Sequence, residues 1–292
     1  LDILDLLQAS PAWLVTATSL LGLIVGSFLN VVVHRLPRML ERAWKQECQA
    51  FLGLESSDTP EAAFSLVAPG SRCPHCGHGI RAHENIPILS YVFLQGRCAA
   101  CGAGISIRYP AIEALTGIVS GVVAWQMGPT GAMLAALCLS WTLIALSAID
   151  LEKQLLPDAI TLPFLWLGLL LSLSGSFTDP RSSIIGAAVG YLSLWSVYQA
   201  FRLLTGKEGM GFGDFKLLAL FGAWLGWQKL LPIILMASLV GAVVGTCMIA
   251  FLRHQRSAPI PFGPYLAAAG WIVMLWGDPI LDAYLRFAGL AP

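Results

Sequence analysis

The sequence predicts an all-α polytopic membrane protein of about eight transmembrane helices, with a small cytoplasmic metal-binding domain between the first and second. Three observations carry this. The 292 residues are 57% hydrophobic and only 12% charged, against roughly 25% charged in an ordinary soluble domain. Apolar runs long enough to cross roughly 30 Å of hydrocarbon, about 20 helical residues each, recur along the chain. One long polar segment, about 35 to 109, interrupts them and holds two CxxC pairs. The net charge is zero, so no global field points to nucleic acid or to an acidic partner.

The apolar runs cover residues 11–34, 110–127, 131–150, 159–174, 183–202, 213–228, 230–251 and 262–278; the fourth and eighth are short or flanked by proline. The first reads as a span that is retained, because no basic stretch precedes it and it is too long for a signal core. With the N-terminus outside, only Arg181, Lys229 and Arg286 of the 17 Lys and Arg fall on the outer side. That bias places the polar segment and the turns around 151–158 and 203–213 at the cytoplasmic face. The chain thus divides into a first span (1–34), a cytoplasmic loop domain (35–109) and a membrane core (110–292). Within the loop domain, residues 39–54 place apolar positions at helical spacing, which predicts a short amphipathic helix. Residues 55–71, rich in Ser, Asp, Pro and Gly, read as loop. There is no internal repeat. The tryptophans, Trp224 and Trp227 among them, read mostly as interface anchors.

Cys73-Pro74-His75-Cys76 and Cys98-Ala99-Ala100-Cys101 are separated by 21 residues, and each is followed at once by a glycine, Gly77 and Gly102. Four thiolates at this spacing form a closed tetrahedral site, with zinc the usual occupant. Two disulfides are the alternative, which a reducing cytoplasmic face disfavours. A closed site leaves no open coordination position, so the metal is structural. His75, His78 and His83 lie near enough to replace a ligand, or are solvated loop residues. Cys48, Cys138 and Cys247 read as buried small hydrophobes.

Gly211-Phe212-Gly213-Asp214-Phe215-Lys216 sets a carboxylate where an apolar run begins. A carboxylate in or near a bilayer is costly and points to function, although Asp is also a good N-cap. Asp150 ends the third apolar run on the same face, where capping cannot explain it, since a carboxylate there meets the negative end of the helix dipole. Asp158, opening the fourth run, reads more simply as an N-cap. Two carboxylates brought together in a partly desolvated place do not both ionise. One charged and one protonated member is what an aspartic protease needs to activate water and polarise a scissile carbonyl. Lys216 either holds the charge of Asp214 or Asp158, or is an ordinary juxtamembrane lysine.

These residues resemble the type IV prepilin peptidases, membrane aspartic proteases that share the GxGD motif with presenilin-like enzymes. The resemblance runs over nearly the whole chain: Gly26 to Pro37, both CxxC pairs, Arg108-Tyr109-Pro110 with Glu113, Asp150 to Asp158, Gly211 to Lys216, and Pro261-Phe262-Gly263-Pro264. It implies Asp150 and Asp214 as the catalytic pair. It also implies cleavage of the short basic leader of prepilins and pseudopilins of type IV pilus and type II secretion systems, at the cytoplasmic face of the bacterial inner membrane. A second reaction follows, N-methylation of the new amino terminus with S-adenosylmethionine. The cysteine-bearing loop is typical of members that perform both reactions. No Gly-rich nucleotide fingerprint locates the methyl donor. Asn30 and His34, four apart on one helix face, and Glu113, one turn inside the helix that Pro110 opens, are the candidates for its binding; interfacial polarity and a favourable helix dipole are the plainer explanations. Membrane lipid is the other expected partner, and the oligomeric state is not encoded in any motif.

A noncatalytic transporter using the two Asp as cation ligands would show matched interrupted helices in two halves, and no such symmetry is present. A presenilin-type protease without methylation leaves the cysteine domain without a purpose.

Overall fold

The computed structural model describes residues 10–54, 64–251 and 260–287. Among these the fold is helical, with two isolated bridges, Arg72 with Gly79 and Arg97 with Gly104, as its only β pairing. The chain divides into two compact units that meet at Ala145 and Leu146.

The first unit holds α1 (Pro11–Phe51), a 3-10 turn (Ala82–Asn85), α2 (Leu89–Phe93), α3 (Arg108–Met127) and most of α4 (Gly131–Lys153). Pro11 opens α1 at a position where its missing N–H costs nothing. The helix expected separately over 39–54 is the continuation of α1, which runs 41 residues through Pro37. A proline removes one intrahelical hydrogen bond and bends a helix without having to end it. Just before it, the buried Arg35 donates to the carbonyls of Ser65 (2.9 Å) and Pro69 (2.6 Å), tying the following loop to the helix. Part of the loop expected over 55–71 lies outside the described residues, as do Arg253 and Arg256. The α1 and α3 backbones approach closely through Gly22 and Gly26 on one side and Gly117 and Gly121 on the other. A Cβ at Gly26 would lie 2.7 Å from the Glu113 Cα, so the small-xxx-small spacing is what lets these helices touch.

The second unit contains the end of α4, then α5 (Asp158–Ser172), α6 (Pro180–Thr205), α7 (Phe212–Leu225), a 3-10 turn (Trp227–Lys229), α8 (Leu230–Phe251) and α9 (Gly263–Phe287). Helix α7 is its centre: from Asp214 to Leu225 every residue except Lys216 is buried. Gly186 and Gly190 of α6 meet the α7 backbone at Gly222 and Leu218, with a Cβ at Gly190 placed 2.7 Å from the Leu218 carbonyl oxygen. Trp224 is not an interface anchor. It is 1% exposed and its indole N–H donates to the Phe164 carbonyl at 2.7 Å, a position open because Gly168 carries no side chain where the indole lies. Trp227, by contrast, is half exposed.

Each of the eight apolar runs lies on its own helix, but among the described residues five helices are long and apolar enough to cross a membrane: α1, α4, α6, and segments Trp227–Met248 and Gly263–Ala283. Helices α5 and α7 have 15 and 14 residues, about 21–23 Å at 1.5 Å per residue, short of roughly 30 Å of hydrocarbon. Helix α3 has the length, but Arg108, Glu113, Thr116 and Ser120 dilute its apolar character.

Candidate active site and metal centre

Asp150 and Asp214, both in the second unit, are buried, at 6% and 7% exposure, and they lie within electrostatic reach of one another. Asp150 sits one turn from the end of α4, where its own helix offers only carbonyl dipoles. Its stabilisation comes from elsewhere: Gly263, the first residue of α9, donates its N–H to Asp150 Oδ2 at 3.1 Å. The positive end of α9 therefore faces a carboxylate that α4 alone would disfavour. A Cβ on Gly263 would come 2.6 Å from the same oxygen, so this backbone approach requires glycine.

Asp214 is not the cap of α7. Gly211 takes that position, in extended geometry, and Asp214 stands in the first turn with its carboxylate reaching back to the Gly211 N–H. Gly213 has no room for a side chain, because a Cβ there would lie 2.8 Å from the Leu156 Cβ. Leu156 also lies 3.2 Å from the equivalent point at Gly263, so one apolar side chain packs against both glycines. Asp158 is likewise not a cap: Pro157 is, and Asp158 accepts both of its hydrogen bonds from Lys216, at 2.7 and 2.6 Å. Lys216 thus serves Asp158. Gly263 and Leu156 escaped sequence reasoning as functional positions, although Gly263 stands within the Pro261 to Pro264 stretch.

In the first unit the four expected cysteines converge, with their sulfurs within 4.8 Å of one another. Cys73 and Cys101 are 3.8 Å apart and Cys76 and Cys98 are 4.0 Å apart. All four are free thiols, so the disulfide alternative is not the one adopted. Tetrahedral zinc with bonds of about 2.3 Å separates its sulfurs by about 3.8 Å, which these positions fit. The two knuckles match. Gly77 (φ 73°) and Gly102 (φ 71°) make the left-handed turns, and their N–H groups return to the carbonyls of Cys73 and Cys98 at 3.0 and 2.9 Å. The amide N–H groups of Cys76 and then His75 pull the Cys73 thiol down to about 6, so a thiolate is ready for metal at neutral pH. His78 bonds Glu84 at 3.1 Å and lies outside the sulfur cluster. Cys48, Cys138 and Cys247 are exposed rather than buried.

The three methyl-donor candidates separate. Asn30, 3% exposed, donates to the carbonyls of Tyr109 (3.1 Å) and Gly26 (3.2 Å), while its Oδ1 has no partner among the described residues. Glu113, 8% exposed, accepts from the Ile88 N–H at 2.8 Å and from Ser27. Both lie where α1 meets α3. His34 instead stands beside the Arg38 guanidinium.

Comparison with known proteins finds relatives along nearly the whole chain. Residues 20–127 match the model of the bacterial Peptidase A24 N-terminal domain, and residues 137–246 match the type IV leader peptidase family. A Pseudomonas aeruginosa protein named prepilin leader peptidase/N-methyltransferase is 54% identical over 289 residues, covering 99% of each chain. Relatives of the same name from Aeromonas hydrophila (53%, over 97% of this chain and 98% of theirs) and Dichelobacter nodosus (51%, over 89% and 91%) extend the likeness. No solved structure matches the chain at a significant level. With two family models and full-length relatives above half identity, the chain belongs to the type IV leader peptidase family and is an endopeptidase that also carries N-methyltransferase activity.

Proposed function

We propose that this chain cuts the short basic leader from type IV prepilins and pseudopilins at the cytoplasmic face of the bacterial inner membrane, with Asp150 and Asp214 as the catalytic pair. It then methylates the new amino terminus with S-adenosylmethionine. The observation that carries the reading is the burial of the two carboxylates within reach of each other, each facing a glycine N–H at a helix start. Two such groups hold one proton between them. The ionised member takes a proton from water as the oxygen attacks the scissile carbonyl. The protonated member donates to the carbonyl oxygen, and a proton then passes to the leaving amine as the C–N bond breaks. The fixed N–H of Gly263 holds Asp150 in place through this exchange without any reorganisation of solvent. A basic leader that stays cytoplasmic agrees with the positive-inside rule. Zinc held by Cys73, Cys76, Cys98 and Cys101 would have no open coordination site, and so organises the loop domain rather than reacting.

Purified protein, a prepilin and labelled methyl donor, read by mass spectrometry, test this. Asp150→Asn and Asp214→Asn are expected to lower cleavage at least roughly 10³-fold, within the range for removing a general acid or base. Both variants should still methylate a substrate whose leader has already been removed. Full cleavage by either variant rules out the pair.

A further inference from the structure

Glu113 is a buried carboxylate at the place where α1 meets α3. Its contacts are the Ile88 N–H and the Ser27 hydroxyl, neither of which titrates in the physiological range. The Ile88 donor is held in an uncommon way. Ile88 has φ 61° and ψ −48° at the centre of a three-residue turn closed by Leu89 N–H to the Pro87 carbonyl at 2.6 Å. A β-branched residue with positive φ is a conformational outlier that persists where its surroundings enforce it. The turn that fixes the carboxylate also builds one wall of an open surface cavity of about 260 Å³, lined by Ile24, Ser27, Phe28, Val31, Asn85 and Pro87. Ser27 and the Pro87–Ile88 peptide thus connect the cavity directly to Glu113. Within one helical turn of Ser27, Asn30 buries an Oδ1 with no donor among the described residues.

The ligand chemistry follows from this set. The free valences are acceptors, a carboxylate and an amide oxygen, in a place where an unpaired charge is costly. They call for a small cation rich in N–H donors. The adjoining cavity is lined chiefly by apolar side chains, and its volume falls below the roughly 300–1,000 Å³ of sites for drug-sized ligands. It therefore suits one apolar side chain better than a complete adenosylated methyl donor.

We propose that this is the methyl-acceptor site: Glu113 receives the α-ammonium of the cut product, and the cavity takes its apolar first side chain. The assignment rests on the function proposed above. The step balances simply. The ammonium gives one proton to the Glu113 carboxylate, and the free amine lone pair attacks the sulfonium methyl. A C–N bond forms as the C–S bond breaks, and S-adenosylhomocysteine leaves.

The test uses full-length enzyme in detergent micelles, with separate assays for cleavage of prepilin, methylation of a pre-cut pilin, and binding of labelled S-adenosylmethionine. Glu113→Gln keeps an acceptor for Ile88 and removes the charge. Cleavage and donor binding should stay within about twofold, while methylation falls roughly 100-fold, in the range for loss of a general base. Methylation by this variant should recover as pH rises through about 8, where an α-amine sheds its proton to water. Ile24→Trp, which fills the cavity, should raise the acceptor KM with little effect on cleavage. Unchanged methylation in Glu113→Gln, a parallel fall in cleavage and methylation, or loss of donor binding each overturns the assignment. Wild-type protein that neither cleaves nor methylates would defeat the underlying function instead.

Discussion

The polar segment from 64 to 107 and the helical unit from 146 onward hold their candidate site groups by opposite means. In the polar segment neither the 3-10 turn nor α2 contains a buried residue, so there is almost no apolar core to hold a shape. Small folds of this kind need a staple, and four thiolates at metal spacing supply one. In the second unit, the wholly buried face of α7 meets α6 backbone to backbone, and close packing together with backbone N–H groups such as that of Gly263 fixes the aspartates. Glycine shows the contrast most directly. Gly77 needs φ 73° and has open space around it, whereas Gly263 needs no unusual φ but has Asp150 where a Cβ would go. One glycine is there for its backbone freedom and the other for its missing atom.

Removing the staple should give the largest effect. Cys73→Ser, or prolonged chelation of the wild type, is expected to take zinc from about one per chain to near zero. Amide protection should vanish from the two knuckles, including the Gly77 and Gly102 N–H groups, while α6 and α7 remain protected. Metal analysis with hydrogen exchange reads both. Methylation should suffer more than cleavage. Protection lost equally in α7 would show that the two regions do not hold their shapes independently.

Gly263→Ala probes the other side of the contrast. The added methyl meets Asp150 Oδ2 at 2.6 Å and Leu156 Cδ1 at 3.2 Å, so the carboxylate must shift. Displacement of a reacting group by about 1 Å costs up to roughly 100-fold. Leader cleavage should fall about 10- to 100-fold with zinc content unchanged. Gly77→Ala, free of any clash, should instead cost about 1 kcal/mol of local stability through its left-handed φ and leave cleavage near normal. Equal effects of the two substitutions on cleavage would erase the distinction.

What the sequence made legible follows the same division. The eight apolar runs and the cysteine spacing are local patterns, and each maps onto a helix or a knuckle. Asp150 could be singled out because no local helix chemistry explains a carboxylate near a C-terminus. The N–H that compensates it, from Gly263, lies 113 residues away in sequence, and no periodicity reports such a contact. Trp224 reads as an interface anchor for the same reason: only the groove left by Gly168 decides that its indole is core rather than interface. The continuity of α1 through Pro37 was hidden because proline lowers helix propensity locally, while the clamp of Arg35 on Ser65 and Pro69 is tertiary. Asp158 and Asp214 looked like caps because residue type suggests one, and the actual caps, Pro157 and Gly211, follow from backbone angles.

The smallest effect should come from Lys216 and Asp158, which bridge the N-terminal parts of α5 and α7. Their side chains are 28% and 52% exposed, so water screens the pair and each side chain loses rotamer freedom in forming it. Exposed pairs of this kind contribute roughly 0.2–1 kcal/mol, even with the bidentate geometry seen here. A double-mutant cycle with Lys216→Met and Asp158→Asn should give a coupling within that range, decreasing as salt is raised, and cleavage should change less than about threefold. Lys216 is nevertheless two residues from Asp214 in α7. A coupling well above 1 kcal/mol, or cleavage lost in Lys216→Met while the fold persists, would mean that packing of α7 does not by itself place Asp214. The exposed ion pair would then have to be counted with the Gly211 and Gly263 N–H groups as part of what positions the buried acids.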